Sequence, residues 1–151
     1  MAEHRHDDVR IAAMELQLQR SHVEPAYFHG YLMLPLLREG DEVEVEPVSG
    51  EQVRVGDVVT YRDADKFPTR RVMEIRRDER TVVIMGDSIR PRRTWIVGFD
   101  DVLARVVRRR RNGSWMTTRD WRWRGQRLRV VLRYQLAASS IGDAVRRFRR
   151  R

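Results

Sequence analysis

Within residues 23–113 the dipeptide Gly-Asp recurs at residues 40–41, 56–57 and 86–87, each time beside a stretch that reads as extended. Glycine admits the backbone of a tight turn, and aspartate can accept a nearby backbone N–H. Three such pairs therefore cut the chain into short strands joined by close turns. The strands carry the matching pattern. Glu42-Val43-Glu44-Val45-Glu46 alternates strictly, which gives a half-buried strand with its acids outward, bounded by Pro47 and Gly50. Val53–Val55 leads into a second strand, Val58–Tyr61. Arg71–Arg76 and Thr81–Met85 flank Arg77-Asp78-Glu79-Arg80 as a hairpin, and Val102–Arg108 runs towards Asn112-Gly113, a strong turn signal. With Val23–His29 extended up to Gly30, residues 23–111 are expected to be mainly β.

The flanks differ. Val9, Ala12, Ala13 and Leu16 follow helical spacing, so residues 8–20 read as a short helix capped by Asp7 or Asp8. Towards the other end, Trp121-Arg122-Trp123-Arg124 interleaves aromatic and cationic side chains. From about Gln126 the period becomes helical, with Val131, Tyr134, Ala138, Ile141, Val145 and Phe148 on one stripe. Gly142 weakens that helix, and Ser139-Ser140 is a place to divide it in two. The expected organisation is a tail and short helix over residues 1–22, a β domain over 23–113, and a Trp/Arg-rich segment with a basic helix over 114–151. The fold class is mainly β (α+β).

A chain of 151 residues with 41% apolar composition can bury a core of its own. It has no cysteine, which removes disulfides, thiolate metal sites and cysteine nucleophiles. Of the 31 basic residues only Lys66 is a lysine. Charge is unevenly spread. Residues 1–47 carry 4 Arg against 10 Asp/Glu, whereas residues 105–151 carry 16 Arg against Asp120 and Asp143. Such a basic block points to an anionic partner: nucleic acid or an anionic membrane surface, with Arg122, Arg124, Arg127, Arg129, Arg146 and Arg147 as candidate contacts. Trp121 and Trp123 could stack on bases there. The competing reading is a helix packed on the β domain with its arginines in solvent. The longest apolar run, Tyr31–Leu37, is far below the roughly 18–20 residues that span a bilayer. No signal-peptide pattern opens the chain, so the expected location is cytoplasmic, or peripheral at the membrane.

Gly30-Tyr31-Leu32-Met33-Leu34-Pro35-Leu36-Leu37, followed by Gly40-Asp41, resembles the active-site turn of signal peptidase I and the LexA-type serine peptidases. That family carries Gly-x-Ser-Met-x-Pro-x-Leu and then Gly-Asp. Val55-Gly56-Asp57-Val58-Val59, Arg70-Arg71-Val72, Met85-Gly86-Asp87-Ser88 and Val102-Leu103-Ala104-Arg105-Val106 are similar to its later blocks, in the same order. The resemblance spans about Asp8 to Gly113 and implies a signal-peptidase-like β domain. No helix-turn-helix precedes it, which sets the chain apart from a repressor.

The same resemblance places the serine nucleophile at Leu32 and the lysine or histidine base at Arg70. Leucine has no atom that attacks a carbonyl carbon, and a guanidinium does not accept a proton near neutrality. The expectation is a pseudoenzyme that binds an extended peptide or protein segment and needs no cofactor or metal. Leu32, Met33, Pro35, Arg70, Arg71, Asp87 and Ser88 are the cleft candidates. The acidic strand Glu42–Glu46 would favour a basic or neutral peptide, and Arg70 a carboxylate. An active serine endopeptidase processing signal or leader peptides is the alternative; it would need a relocated pair such as Lys66 and Ser88. Asp87 with Arg70 and Arg71 reads more simply as a structural ion-pair cluster. His4, His6 and Asp7 belong to a tail rather than a metal site, and His22 and His29 stand alone.

Overall fold

The computed structural model describes residues 26–88 and 93–148, with side chains described as far as residue 139. The expected helix over 8–20, with His4, His6, Asp7 and His22, lies outside the described residues.

Eight antiparallel strands form one sheet: β1 (Ala26–Tyr27), β2 (Glu42–Pro47), β3 (Val58–Tyr61), β4 (Thr69–Arg76), β5 (Thr81–Met85), β6 (Thr94–Gly98), β7 (Val102–Arg111) and β8 (Ser114–Thr117). Their order is β1-β2-β7-β3-β4-β5-β6. β7 is long enough to pair β2 along one edge and, on its other edge, β3 first and β8 beyond it. The sheet curls into a half-barrel. Among the described residues a single α-helix, α1 (Trp121–Phe148), follows β8 and packs back on the sheet. Alternation correctly places β2, the segments flanking Arg77–Arg80 form the β4–β5 hairpin, and Asn112 and Gly113 make the β7–β8 turn with φ of 50° and 78°.

Two of the three Gly-Asp pairs within residues 23–113 are the same device. Gly40 and Gly56 have φ of 80° and 89°, where L side chains are strained. The following aspartate accepts the backbone N–H three residues back: Arg38 to Asp41 at 2.9 Å and Arg54 to Asp57 at 2.8 Å. Asp87 departs from this pattern. Its carboxylate is fully buried and takes Arg71 Nε at 2.8 Å and Nη2 at 2.6 Å, while Arg71 Nη1 donates to the Gly56 carbonyl at 2.9 Å. The ion-pair cluster expected around Asp87 is thus a pair with Arg71 alone; Arg70 points elsewhere.

β3 is buried on both faces and separates two apolar clusters. Val58 joins Phe28, Met33, Leu37, Val45 and Trp123, whereas Val59 and Tyr61 join Val72, Val82, Ile84 and Phe99. α1 adds Val130 to Met73 and Met85. It begins at Trp121, earlier than the sequence pattern suggests, because Asp120 caps it by accepting the Arg122 N–H at 2.8 Å. It runs unbroken through Ser139-Ser140 to Phe148.

The acids of β2 answer the arginines of β7. Arg105 Nε donates to Glu46 at 2.8 Å and Nη1 to Asp57 at 3.1 Å; Arg108 reaches Glu44 at 2.6 Å, and Arg110 pairs with Glu42. Asp41, almost wholly buried, holds Arg111 Nε at 2.8 Å. Burial alone pushes the Asp41 carboxyl up. The hydrogen bonds from Arg111 and the Arg38 N–H, with the charges of Arg111 and Arg109, outweigh it and hold the carboxyl below its ordinary range. Because the folded pKa is the lower one, the unfolded chain takes the proton first as pH drops. The contribution is complete above about pH 4 and is lost as pH falls through the depressed folded value. Asp41→Asn is expected to lower stability at neutral pH by about 1–3 kcal/mol and to flatten the acid limb of stability against pH. Parallel acid limbs for variant and wild type would rule this account out.

Candidate functional site

The segment between β1 and β2 is clamped at its base. Phe28 N–H donates to the Asp41 carbonyl at 2.8 Å, and Gly40 N–H to the Phe28 carbonyl at 2.9 Å. Glu39 ties its far end by accepting from the Gly30 N–H and meeting His29 Nδ1 at 2.8 Å; these contacts, the Gly30 bond first, hold the Glu39 carboxyl below its ordinary range. Met33, Leu36 and Leu37 are driven into the core. Leu32 is left half-buried at the surface of this loop.

Across from it runs the β3–β4 connection. Asp63 and Lys66 exchange backbone hydrogen bonds at 2.9 Å, and Tyr61 N–H donates to the Pro68 carbonyl at 3.1 Å. The Thr60 and Thr69 hydroxyls meet at 3.0 Å. Between loop and connection lies a groove of about 550 Å³. Its floor is apolar, built from Phe28, Val43, Val45 and Val106; Tyr27, Tyr31 and Leu32 line one side, Lys66, Phe67 and Arg70 the other.

Arg70 is the cation of this groove. Its Nη1 donates to the Thr69 carbonyl at 2.6 Å, and its guanidinium stacks 5.1 Å from the Trp95 ring centre. Its Nε is buried with no hydrogen-bond partner, and among the described residues no carboxylate lies within ion-pair distance. Burial lowers its pKa, opposed by the charges of Tyr61 and Asp63. A guanidinium nonetheless stays protonated at neutral pH. Lys66 adds a second, exposed cation on the same side.

The cleft candidates thus separate. Leu32 and Arg70, distant in sequence, line one groove. Met33 is wholly buried and belongs to the core, not the groove. Pro35 is exposed. Arg71 and Asp87 form the buried pair already described. Ser88 works as a latch: its N–H donates to the Leu32 carbonyl at 3.1 Å and its hydroxyl to the Tyr31 carbonyl at 2.9 Å. No hydrogen bond joins it to Lys66 among the described residues. Phe28, Tyr31, Val45, Phe67 and Val106 were not singled out by sequence. Each is an ordinary apolar or aromatic residue that becomes groove lining only when β1, β2 and β7 assemble.

The anion-binding candidates divide in a similar way. The arginines of β7 at 105, 108, 110 and 111 are matched by carboxylates, so the net charge of residues 105–151 overstates what is offered to a polyanion. The same pairing occupies Glu42, Glu44 and Glu46, the acids expected to favour a basic or neutral peptide. Arg127 folds back to the Val55 carbonyl and covers Gly56. Arg122, Arg124 and Arg129 are exposed. Arg146 and Arg147 lie beyond the described side chains. Trp123 is buried and cannot stack on a base; Trp121 is exposed, with Arg122 5.2 Å from its ring centre. Among the described residues no helix is long and apolar enough to cross a membrane.

Comparison of the chain with protein-family models, with curated proteins and with solved structures returns no match.

Proposed function

We propose that this chain is a catalytically inactive, signal-peptidase-like module that binds an extended peptide segment in the groove between Leu32 and Arg70. One observation carries the reading: the two positions where the resemblance locates nucleophile and base line the same apolar-floored groove, and neither side chain can attack or accept a proton. The hydroxyls nearby do not replace them. Thr60 and Thr69 bond each other, and Ser88 is spent on the Tyr31 carbonyl.

Strand edges support an extended ligand. The ladder between β4 and β5 starts at Arg71 with Met85, which leaves the Thr69–Arg70 main chain without a ladder partner on that side among the described residues. β1 pairs only β2 among the described strands. A peptide can therefore gain main-chain hydrogen bonds while an apolar side chain meets Val43, Val45 and Val106. Arg70 and Lys66 select a carboxylate, either a side chain or a free C-terminus.

Selection from a random peptide library should enrich segments that pair an apolar residue with a carboxylate. Arg70→Ala should weaken the enriched peptides by about ten- to a hundredfold, the range for losing a hydrogen bond to a charged group. The purified protein should leave the bound peptides intact. Cleavage that disappears in Ser88→Ala or Lys66→Ala would overturn the reading in favour of a relocated dyad. Enriched peptides indifferent to Arg70→Ala would place the binding surface elsewhere.

A further inference from the structure

A helix lying on a sheet should be most polar along the line opposite its packed row. α1 is not. Its packed row includes Trp123, Val130 and Tyr134, whose hydroxyl donates to Glu74 at 2.9 Å. The opposite line carries Trp121, Leu128, Leu132 and Leu136, which are 74%, 59%, 47% and 69% exposed. Their spacing of seven, four and four keeps them on one stripe. Arg122 and Arg129 border the stripe on one side and Arg124 on the other. Between Asp120 and Asp143 the sequence holds five arginines and no acid.

Each half of this pattern excludes a partner. A nucleic acid recruits cations and stacking aromatics, but a row of three exposed leucines gains nothing from phosphates. A second copy of α1 could bury the leucines, but it would set two acid-free arginine rows against each other, and like charges across an interface are repulsive. A bilayer with anionic headgroups satisfies both halves. Leucines and tryptophan enter the boundary between headgroups and acyl chains, while the arginine stems lie along that boundary with their guanidinium ends at the phosphates.

We infer that α1 lies flat on an anionic membrane surface through Trp121, Leu128, Leu132 and Leu136. This surface is separate from the groove, so the two are tested independently. The full chain would be sedimented with vesicles of phosphatidylcholine alone or mixed with phosphatidylglycerol. Binding should favour the mixed vesicles, and a blue shift of tryptophan emission on binding should shrink in Trp121→Phe. The triple change Leu128→Ser, Leu132→Ser, Leu136→Ser should weaken binding at least about tenfold while the melting temperature falls only modestly, because these side chains lie outside the core clusters and serine is the poorer helix former. Changing Arg122, Arg124 and Arg129 to Gln should erase the preference for phosphatidylglycerol. The inference is overturned if wild type ignores both vesicles or if the triple serine variant binds them as wild type does. It is equally overturned if the leucines prove to support a concentration-dependent dimer, or an acidic partner helix, in place of vesicle binding.

Discussion

Asp87→Ala is expected to destabilise the protein by about 3–5 kcal/mol, the range for stripping one partner from a buried ion pair. Arg71 is wholly inaccessible, and Asp87 supplies two of its three hydrogen bonds. Without Asp87 the guanidinium keeps only the Gly56 carbonyl. Its charge then sits wholly buried beside Met85, its partner across the β4–β5 ladder, with nothing to offset desolvation. Substituting both partners, Arg71→Met with Asp87→Leu, should recover most of the loss, because the cost lies in the orphaned charge rather than in the missing pair. Urea unfolding of the two variants tests this directly. A single variant within about 1 kcal/mol of wild type would mean that the charge finds water and the pair is not buried in solution.

The pair also bears on the groove. It joins the turn at Gly56, strand β4 and the loop after β5, and Ser88 reaches from that loop to the carbonyls of Tyr31 and Leu32. Arg71 points inward, so strand alternation turns its neighbour Arg70 to the opposite face, where its guanidinium stacks on Trp95. One adjacent pair of arginines therefore divides into a member buried in an ion pair and a member stacked on Trp95 that also lines the groove. Sequence shows that the two face opposite ways but not which one is inside. That depends on Asp87 arriving from β5, sixteen residues on.

The same limit explains what was legible elsewhere. β2 could be read because a local pattern of period two reports its two faces, and the Gly-Asp turns because their hydrogen bonds span three residues. The charge ladder could not. Glu42, Glu44 and Glu46 meet Arg110, Arg108 and Arg105 only through the β2–β7 register, some sixty residues apart, so the charge of each segment alone does not reveal that they neutralise one another. β6 and β8 are not legible in the sequence, because their pairing comes from neighbours already in place. On α1 the sequence offers two apolar stripes. Val131 and Tyr134 do face the sheet, but Ala138, expected on the same row, is exposed, and Trp123 and Val130 complete the packed face instead. Which stripe is inward is decided by Met73, Met85 and Glu74 on the sheet, not by helical period.

Trp123 and Trp121, two residues apart, should therefore respond in opposite ways. Trp123 is the largest fully buried side chain and packs in the cluster that contains Val58 and Ala104. Trp123→Ala should cost about 3–5 kcal/mol, combining lost burial with the cavity left behind. Trp121 makes no core contact and is mostly exposed. Trp121→Ala should change stability by no more than about 0.5 kcal/mol while weakening vesicle binding. The rotation of the helix follows from the contrast: at about 100° per residue, two positions lie roughly 200° apart, so a helix that buries one must present the other. Urea unfolding of the two variants reads this rotation without any ligand. Equal losses of stability would mean that α1 is turned from the orientation described, and the outward row of leucines would go with it.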